Sequence, residues 1–473
     1  MSSIRWFLVT NLCLLVSVGA NYYGLPAVGW FALLVAFICL QGMLFFAWGS
    51  WITISALFGF FFLLYTLSGP YEILFGSGEI PPFSPPFYVQ QWLTDASFAV
   101  MGICWGAICV RLSRRLIPAG SELRPRLHLG TCAILLMAAA TLSEMVNMAR
   151  AGGPSVLLAG KAIYQAQTAD IQLTLPSATV ALVAFSFWGL YYASALRRPR
   201  IASAGFVVLA MPLLGIHLLL GQRLEIASYL FAFLLGFTYR KPLTRFPWKL
   251  ALLGAGLYLA MAPLYGFRWV FPLIISGQRV DIERSSARQL LFSSLNPAVN
   301  EFGGAFGNYS IFLQTGEQEL LYGKSYLTGL LGIVPGFLFP GEKPKSITYE
   351  FRDRFFPEQA QRSRIAGTAF SSLLEARMNF GTSGVFFVFS LWGALLAFVE
   401  KLRQETQSVW YAVFYSTLAQ LAMIFHRSSA GGLIGGYLWI AVVIGMTWMG
   451  RLIWRHIRGM KRTATVSSIS SPA

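Results

Sequence analysis

The pattern with the most chemical content is a short segment, GTAFSSLLEARMNFGTSG, at residues 367–384. If this segment is helical around Glu375, that residue and Asn379 share one face, where a carboxylate and an amide could bind a hydroxylated ligand. Ser372 lies three residues before Glu375, however, and Ser-x-x-Glu is also the pattern of a capping box, in which Glu375 would only close the helix N terminus. The spacing leaves both interpretations open, and Gly381 is expected to end the helix.

A tight turn between two apolar stretches carries an arginine, in the sequence GQRLE at residues 221–225. The guanidinium of Arg223 would suit an anion at a membrane boundary, because its fork of donors binds phosphate oxygens in bidentate fashion. The alternative is a snorkelling arginine paired with Glu225. His217 precedes the turn by less than two helical turns and is either a candidate base or a packing residue.

A second turn, HRSSAGG at residues 426–432, also combines an imidazole with a cation. Arg427 could bind an anion or, alternatively, a phospholipid headgroup. His426 is a further candidate base. The turn could face the same cavity as Arg223.

Membrane helices must position these residues. Hydrophobic residues make up 56% of the 473-residue chain, the mean hydropathy is +0.60, and apolar runs long enough to cross a ~30 Å hydrocarbon core recur. The sequence therefore predicts an all-α polytopic membrane protein with about twelve transmembrane helices. The predicted spans are residues 5–20, 26–47, 49–69, 93–113, 129–148, 174–196, 201–220, 224–239, 248–267, 383–400, 408–426 and 432–450.

Positive charge divides the predicted loops into two sets. Alternation of the spans places 20 Lys and Arg residues on one side, whereas the short loops opposite hold only Arg150, Lys161, Arg223 and Arg427. By the positive-inside rule the first side is cytoplasmic, and both termini lie on it. The first 20 residues could alternatively be a cleaved signal peptide, which leaves the later topology unchanged. The resulting regions are 1–267 with spans 1–9, an external loop at 268–382, spans 10–12 in 383–450, and a basic cytoplasmic tail at 451–473.

The external loop holds 10 of the 19 acidic residues and 12 of the 36 basic ones, so it is expected to contain short helices and the chemistry. Its apolar stretch at 325–340 is short and broken by Pro335 and Gly336, which favours an interfacial or re-entrant piece over a span. Its middle, residues 343–364, is expected to be a solvated helix. The alternative is a saccharide cradle, whose stacking aromatics would be Tyr349, Phe351, Phe355 and Phe356.

The composition also excludes some functions. A net charge of +17 would suggest nucleic acid in a soluble protein, but here the excess lies in cytoplasmic loops and the tail, beside lipid headgroups. Nucleic-acid binding is therefore not expected. All five cysteines fall inside predicted spans, so neither a disulfide framework nor a cysteine metal site is indicated.

Three segments carry motifs in a recognisable order. Gly-x-Arg223 opens the span RLEIASYLFAFLLGFTYRK; Asn-Glu-Phe-Gly stands at 300–303; and Gly-Thr-x-x-Ser…Glu-x-x-x-Asn-Phe-Gly-x-x-Gly surrounds Glu375 and runs into a span with Gly393. Over roughly residues 200–400 the chain thereby resembles the bacterial O-antigen and capsule repeat-unit polymerases. The resemblance implies a fold similar to the membrane-embedded GT-C type glycosyltransferases. It implies an enzyme that joins undecaprenyl-diphosphate-linked oligosaccharides into O-antigen, capsule or exopolysaccharide on the outer face of the inner membrane.

The resemblance further implies roles for individual residues. Cations would neutralise the diphosphate as it leaves, and the expected ones are Arg223, Arg427, Arg279, Arg284 and Arg288. Neither a metal nor another cofactor is expected. Asp281-x-Glu283 could hold a divalent ion, but the first external loop lacks the acid found in metal-using polyprenol-phosphate glycosyltransferases.

The attacking hydroxyl of the second lipid-linked unit needs a positioned base. The candidates are Glu375, Glu301, His217 and His426. Glu375 is favoured because the resemblance centres on it, with Arg377 and Asn379 orienting sugar or diphosphate.

Two rival functions stay open. An O-antigen ligase, which transfers the finished glycan to lipid A core, would share the twelve spans and the outer loop. A flippase or other transporter of lipid-linked oligosaccharides fits less well, because charge concentrates in one external loop and at span ends. A chain-length regulator and a flippase are expected partners of a polymerase, besides the lipid-linked donor and acceptor and the membrane lipids.

Overall fold

The chain is helical throughout the part for which structure is described. The computed structural model describes residues 2–76, 86–112, 128–153, 177–194, 200–220, 222–249, 252, 254–256, 302–316, 319–332, 334, 339, 344–358, 369–406, 408–430, 433 and 437–450. The helices of the first part of the chain are α1 Ser2–Tyr22, α2 Pro26–Trp48, α3 Ile54–Phe75, α4 Pro86–Leu112, α5 His128–Arg150, α6 Ser177–Ser194, α7 Arg200–Leu219 and α8 Arg223–Arg240. Those of the second part are α9 Gly303–Gln314, α10 Lys324–Leu331, α11 Ile347–Phe355, α12 Ser372–Glu405, α13 Val409–Ile424 and α14 Tyr437–Gly450.

Nine helices in these described ranges are long and apolar enough to cross a membrane, namely α1 to α7, α12 and α13. The protein is therefore a polytopic helical membrane protein, as predicted. The predicted span at 224–239 is the helix α8, which has charged residues in its first and last turns. The predicted span at 432–450 contains the shorter apolar helix α14, and most of 248–267 lies outside the described residues.

The long helix α12 packs along α4 at a close crossing of small residues. A Cβ added to Gly106 of α4 would overlap the carbonyl oxygen of Ser390, and one added to Gly393 of α12 would overlap that of Ile103. Small residues of this kind let two membrane helices approach until their backbones touch. The contact fixes α12 against α4.

A break divides α12 into a short N-terminal part, called the outer part after the predicted topology, and a membrane part. Gly381 has φ 71° and ψ −168°, a conformation that only glycine adopts readily, and helical geometry resumes immediately after it. The predicted helix around Glu375 and its end at Gly381 are both confirmed. The first nine residues of α12 therefore belong to the predicted external loop.

Three short helices of the loop lie near this outer part. α9 packs against the end of α3, where the Phe306 ring lies against Gly69 and the Tyr65 and Phe302 rings are 4.8 Å apart. Asn308 of α9 donates a hydrogen bond to the Ala369 carbonyl at 2.9 Å, just before α12. The loop is thus packed onto the bundle at the end where α12 begins.

The helix α11 lies within the stretch that was expected to be solvated. Its Phe351 is buried, with ring centroids 4.5 Å from Phe355 and 5.4 Å from Phe370, so the expectation of a fully solvated helix is wrong. The helix buries one face because its apolar residues return at helical spacing. Of the aromatics considered for a saccharide cradle, Tyr349 is 37% exposed, while Phe351 is used in packing.

The helix α10 begins the apolar stretch that was predicted to lie in the interface. It has eight residues and is therefore roughly 12 Å long, too short to span a bilayer. Leu327, Leu330 and Leu331 are exposed on it, while Ser325 and Gly329 are buried. Ser325 belongs to the candidate site described next.

Candidate functional site

Glu375 is fully buried in the first turn of α12, and its carboxylate holds two other segments. Ser325 of α10 donates a hydrogen bond from its hydroxyl to Oε1 at 2.7 Å, and the backbone N–H of Ala430 donates to Oε2 at 2.8 Å. The cap of α12 is Ser371, whose hydroxyl accepts from the Leu374 N–H at 3.0 Å. The capping-box interpretation of Ser372 and Glu375 is therefore wrong, because the carboxylate reaches across to other elements instead.

Asn379 completes this cluster one turn later, on the same face as Glu375. Its Nδ2 donates to the Ser325 hydroxyl oxygen and to the Glu375 carbonyl, both at 2.7 Å, and its Oδ1 accepts from the Gly323 N–H at 3.0 Å. Gly323 starts α10 with φ 86°, so a side chain there would be strained. Asn379 thus fixes the start of α10 and the position of Ser325.

Tyr326 lies beside the cluster, and the charge of Glu375 affects its pKa. Its ring stacks with the Phe380 ring at a centroid distance of 6.2 Å. Burial, and secondarily the negative charge of Glu375, raises the pKa of Tyr326 well above its ordinary value. The phenol therefore stays protonated and available as a neutral group near the carboxylate.

The turn after α13 reaches the same cluster through its backbone. Phe425–Arg427 form a 3-10 turn, and Ser429 and Ala430 follow it. The Ser429 hydroxyl lies 3.4 Å from that of Ser346, at the start of α11. The turn thus contacts Glu375 through the Ala430 N–H, while its facing the same cavity as Arg223 stays a prediction.

His426 itself lies in an aromatic cage. Its ring stacks on Phe62 at 5.1 Å and meets Phe58 edge-on at 4.6 Å, and its Nε2 lies 3.2 Å from the Phe58 carbonyl. His426 is 2% exposed. In this geometry it packs α13 against α3, whereas a base must reach a substrate hydroxyl. Arg427, the next residue, is half-buried.

Arg377 projects to another helix and forms a buried ion pair. Its Nη1 donates to Asp95 Oδ2 of α4 at 2.6 Å and to the Thr382 hydroxyl at 2.8 Å. The Tyr309 hydroxyl of α9 donates to the same carboxylate oxygen at 2.6 Å. The guanidinium is therefore already neutralised by Asp95 and positioned by α4, α9 and α12 together.

Arg223 and His217 lie at the same end of the bundle. Arg223 is the first residue of α8, and one turn later the Ser228 hydroxyl contacts the Met423 sulfur at 3.6 Å, near the end of α13. The start of α8 and the turn after α13 are thus neighbours. His217 is buried, and its Nε2 lies 3.4 Å from the hydroxyl of Tyr229.

A small cleft opens between α10 and α11, beside the Glu375 cluster. It has a volume of about 200 Å³ including its open mouth. Its lining residues are Leu321, Lys324, Ser325, Thr328, Ile347 and Glu350. Hydroxyls, one charge of each sign and two apolar side chains are thus presented together, which is a lining suited to a polar, hydroxylated ligand.

Four of the predicted site residues, Glu301, Arg279, Arg284 and Arg288, lie outside the described residues, as do Asp281 and Glu283. Within the ranges that are described, no group of three or more His, Cys, Asp or Glu side chains is arranged to hold a metal ion.

Sequence reasoning missed Asp95 and Ser325. Asp95 could have been found, because an acid inside a predicted span is costly unless it has a partner, and this one pairs with Arg377. Ser325 gives no such signal, since a serine at the start of a short helix is common in any loop.

No protein-family model, no curated protein and no solved structure matches this chain.

Proposed function

We propose that this protein is an integral-membrane glycosyltransferase that polymerises undecaprenyl-diphosphate-linked oligosaccharide repeat units. The proposal includes twelve spans, an architecture similar to the GT-C type, and a bacterial inner membrane with both termini in the cytoplasm. The product would be O-antigen, capsule or exopolysaccharide, made on the outer face.

The observation that carries the proposal is a series of contacts that links a buried carboxylate to the turn containing Arg427 and, through α13, to the helix that begins with Arg223. Glu375 binds Ala430 of the turn that contains Arg427, and the preceding helix α13 contacts α8 near Arg223. A transfer from a diphosphate needs these two kinds of group, a base for the hydroxyl and cations for the leaving group. Both lie beside apolar helices, from which a polyprenyl tail could arrive.

The reaction would be a single displacement. The acceptor hydroxyl attacks the anomeric carbon of the donor sugar, its proton passes toward Glu375, and the carbon–oxygen bond to the diphosphate breaks with its electron pair on the diphosphate. Arg223, with Arg427, would stabilise that charge by bidentate hydrogen bonds. Arg377 is paired with Asp95, so its role would be to orient ligand, with less charge to offer a diphosphate.

The test is elongation by the purified protein in detergent with undecaprenyl-diphosphate-linked repeat units and EDTA, read as a ladder on a gel. Glu375→Ala and Arg223→Ala are each expected to lower the rate by about 10²-fold or more, since each removes one component of the displacement. Matched controls are Glu319→Ala and Arg245→Ala, which remove exposed charges elsewhere and should leave the ladder intact.

The other functions predict different outcomes in the same assay. Transfer only after lipid A core is added would identify a ligase, and loss of both reactions with substrate movement in proteoliposomes would identify a transporter. A wild-type ladder that survives in both Glu375→Ala and Arg223→Ala would refute the proposed site.

A further inference from the structure

The buried position of Glu375 creates a difficulty for a base, and the neighbouring cleft resolves it. A side chain with no exposed surface cannot touch a substrate hydroxyl directly. Ser325 touches Glu375 on one side and lines the cleft between α10 and α11 on the other. Ser325 thus links the cleft to the buried carboxylate.

The hydrogen bonds of Ser325 leave room for one more partner. A serine hydroxyl has one donor and two acceptor lone pairs. Its donor is used on Glu375 Oε1 at 2.7 Å, and one lone pair accepts from Asn379 Nδ2 at 2.7 Å. The second lone pair has no hydrogen bond among the residues that the structure describes. A ligand hydroxyl can therefore donate to Ser325 without displacing either existing contact.

We propose that the cleft between α10 and α11 binds the acceptor saccharide, and that Ser325 relays the proton of its attacking hydroxyl to Glu375. This inference rests on the proposed function. The acceptor proton moves to Ser325 Oγ as the Ser325 proton moves to Glu375 Oε1. The sugar oxygen forms the new bond to the anomeric carbon, and the diphosphate leaves with the electron pair. Serine ends the step unchanged, and Glu375 ends it protonated.

The lining of the cleft fits this ligand. Leu321 and Ile347 offer an apolar surface for a sugar face, while Thr328, Lys324 and Glu350 offer donors and acceptors for hydroxyls. The free space inside the cleft is smaller than a sugar ring and opens to solvent, so the cleft would admit the attacking hydroxyl of the terminal sugar and leave the remainder of the glycan outside. Asn379 is then a positioning residue, because it orients Ser325 and Glu375 at once.

The matched variants are Ser325→Ala, Ser325→Cys and the control Ser310→Ala. Ser310 is also a buried serine of a loop helix, but within the described residues its hydroxyl bonds only to the Phe306 carbonyl of its own helix. Under single-turnover conditions, Ser325→Ala is expected to lower the rate about 100-fold with less than a threefold change in acceptor KM. Ser325→Cys, which keeps a weaker donor and acceptor, should recover about tenfold, and Ser310→Ala should stay within twofold of wild type.

Two readouts separate a relay from a structural role. The relay moves two protons in one step. A plot of the wild-type rate against the deuterium fraction of mixed H₂O and D₂O should therefore be a quadratic curve. The acidic limb of the pH–rate profile should flatten in Ser325→Ala, because no hydroxyl then passes the acceptor proton to Glu375. A linear dependence on deuterium, or no isotope effect, would overturn the relay even if Ser325→Ala failed to fold.

Failure of this inference is distinct from failure of the proposed function. A wild-type protein that forms no ladder contradicts the polymerase itself. A wild-type protein that elongates while Ser325→Ala keeps the full rate contradicts only the relay.

Discussion

The two ends of α12 each hold a fully buried glutamate, and the two carboxylates differ in the hydrogen-bond donors around them. At the C-terminal end, which the predicted topology places inside, Glu400 accepts from Arg403 Nε at 2.8 Å and from the Tyr415 hydroxyl at 2.8 Å. At the N-terminal end, which that topology places outside, the donors to Glu375 among the described residues are neutral, namely the Ser325 hydroxyl and the Ala430 N–H. The two carboxylates are 25 residues apart, or roughly 37 Å along the helix.

The difference separates a structural ion pair from a group prepared for chemistry. A buried charge is costly unless a partner compensates it, and Arg403 does so for Glu400, while it also donates to the Trp48 carbonyl at 3.2 Å. In the described part of the chain no Lys, Arg or His forms an ion pair with Glu375. Glu375 is therefore a buried carboxylate held by neutral donors, an arrangement in which a carboxylate can take up a proton.

Removing the cation at the inner end should produce the largest loss of stability. Arg403→Ala leaves the Glu400 carboxylate buried without its partner, so we expect a loss of about 3–5 kcal/mol in the free energy of unfolding. The measurement is thermal unfolding in detergent, followed by tryptophan fluorescence. Glu400→Gln in the same chain should restore much of the loss, because it removes the uncompensated charge. If the Arg403→Ala protein were as stable as wild type, the cation beside Glu400 would contribute nothing to stability, and the contrast with Glu375 would fail.

The ion pair of Asp95 and Arg377 offers an intermediate case. Asp95 is fully buried, but the Arg377 side chain is 18% exposed, so water partly compensates the guanidinium when Asp95 is removed. We expect Asp95→Asn to lower stability by about 2 kcal/mol, less than Arg403→Ala. In a double-mutant cycle with Arg377→Met, the coupling energy should account for most of that loss. A coupling energy near zero would show that the 2.6 Å contact contributes nothing.

Glu375→Gln should change stability least among the buried sites. The amide is nearly isosteric, it can accept from the Ala430 N–H and donate to the Ser325 hydroxyl oxygen, and no cation is left unpaired. We expect a change below about 1 kcal/mol in unfolding free energy, together with loss of elongation. Equal destabilisation by Glu375→Gln and Arg403→Ala would remove the distinction between the two ends.

Much of the helical framework is visible in the sequence, because hydrophobic runs and glycine signals are local. The helix around Glu375 and its interruption at Gly381 follow from a few adjacent residues. The partners of that helix do not, since Asp95 lies 282 residues from Arg377 and Ser325 lies 50 residues from Glu375. Spacing also left a capping box open, because Ser372-x-x-Glu375 fits that pattern, whereas in the fold the cap is Ser371.

Asp353 shows what pairing does without burial, and here the expected effect is smallest. Hydrogen bonds from Arg352, and next from Lys345 at 3.1 Å, hold the pKa of Asp353 below its ordinary value, while its side chain is 33% exposed. The folded state therefore binds fewer protons than the unfolded state in the acid range. The stabilisation is complete above the unfolded pKa of about 3.9 and is lost as pH falls through the lower folded pKa.

Asp353→Asn should thus reduce the difference in unfolding free energy between pH 6 and pH 3, measured by unfolding at a series of pH values. Salt should reduce the same difference in the wild-type protein, because it screens the pair. The loss of stability caused by Arg403→Ala should change little with salt, because the Arg403–Glu400 pair that it removes is buried and shielded from ions. If salt weakened both equally, burial would not be what distinguishes the inner glutamate, and the contrast with Glu375 would have to rest on the identity of its donors alone.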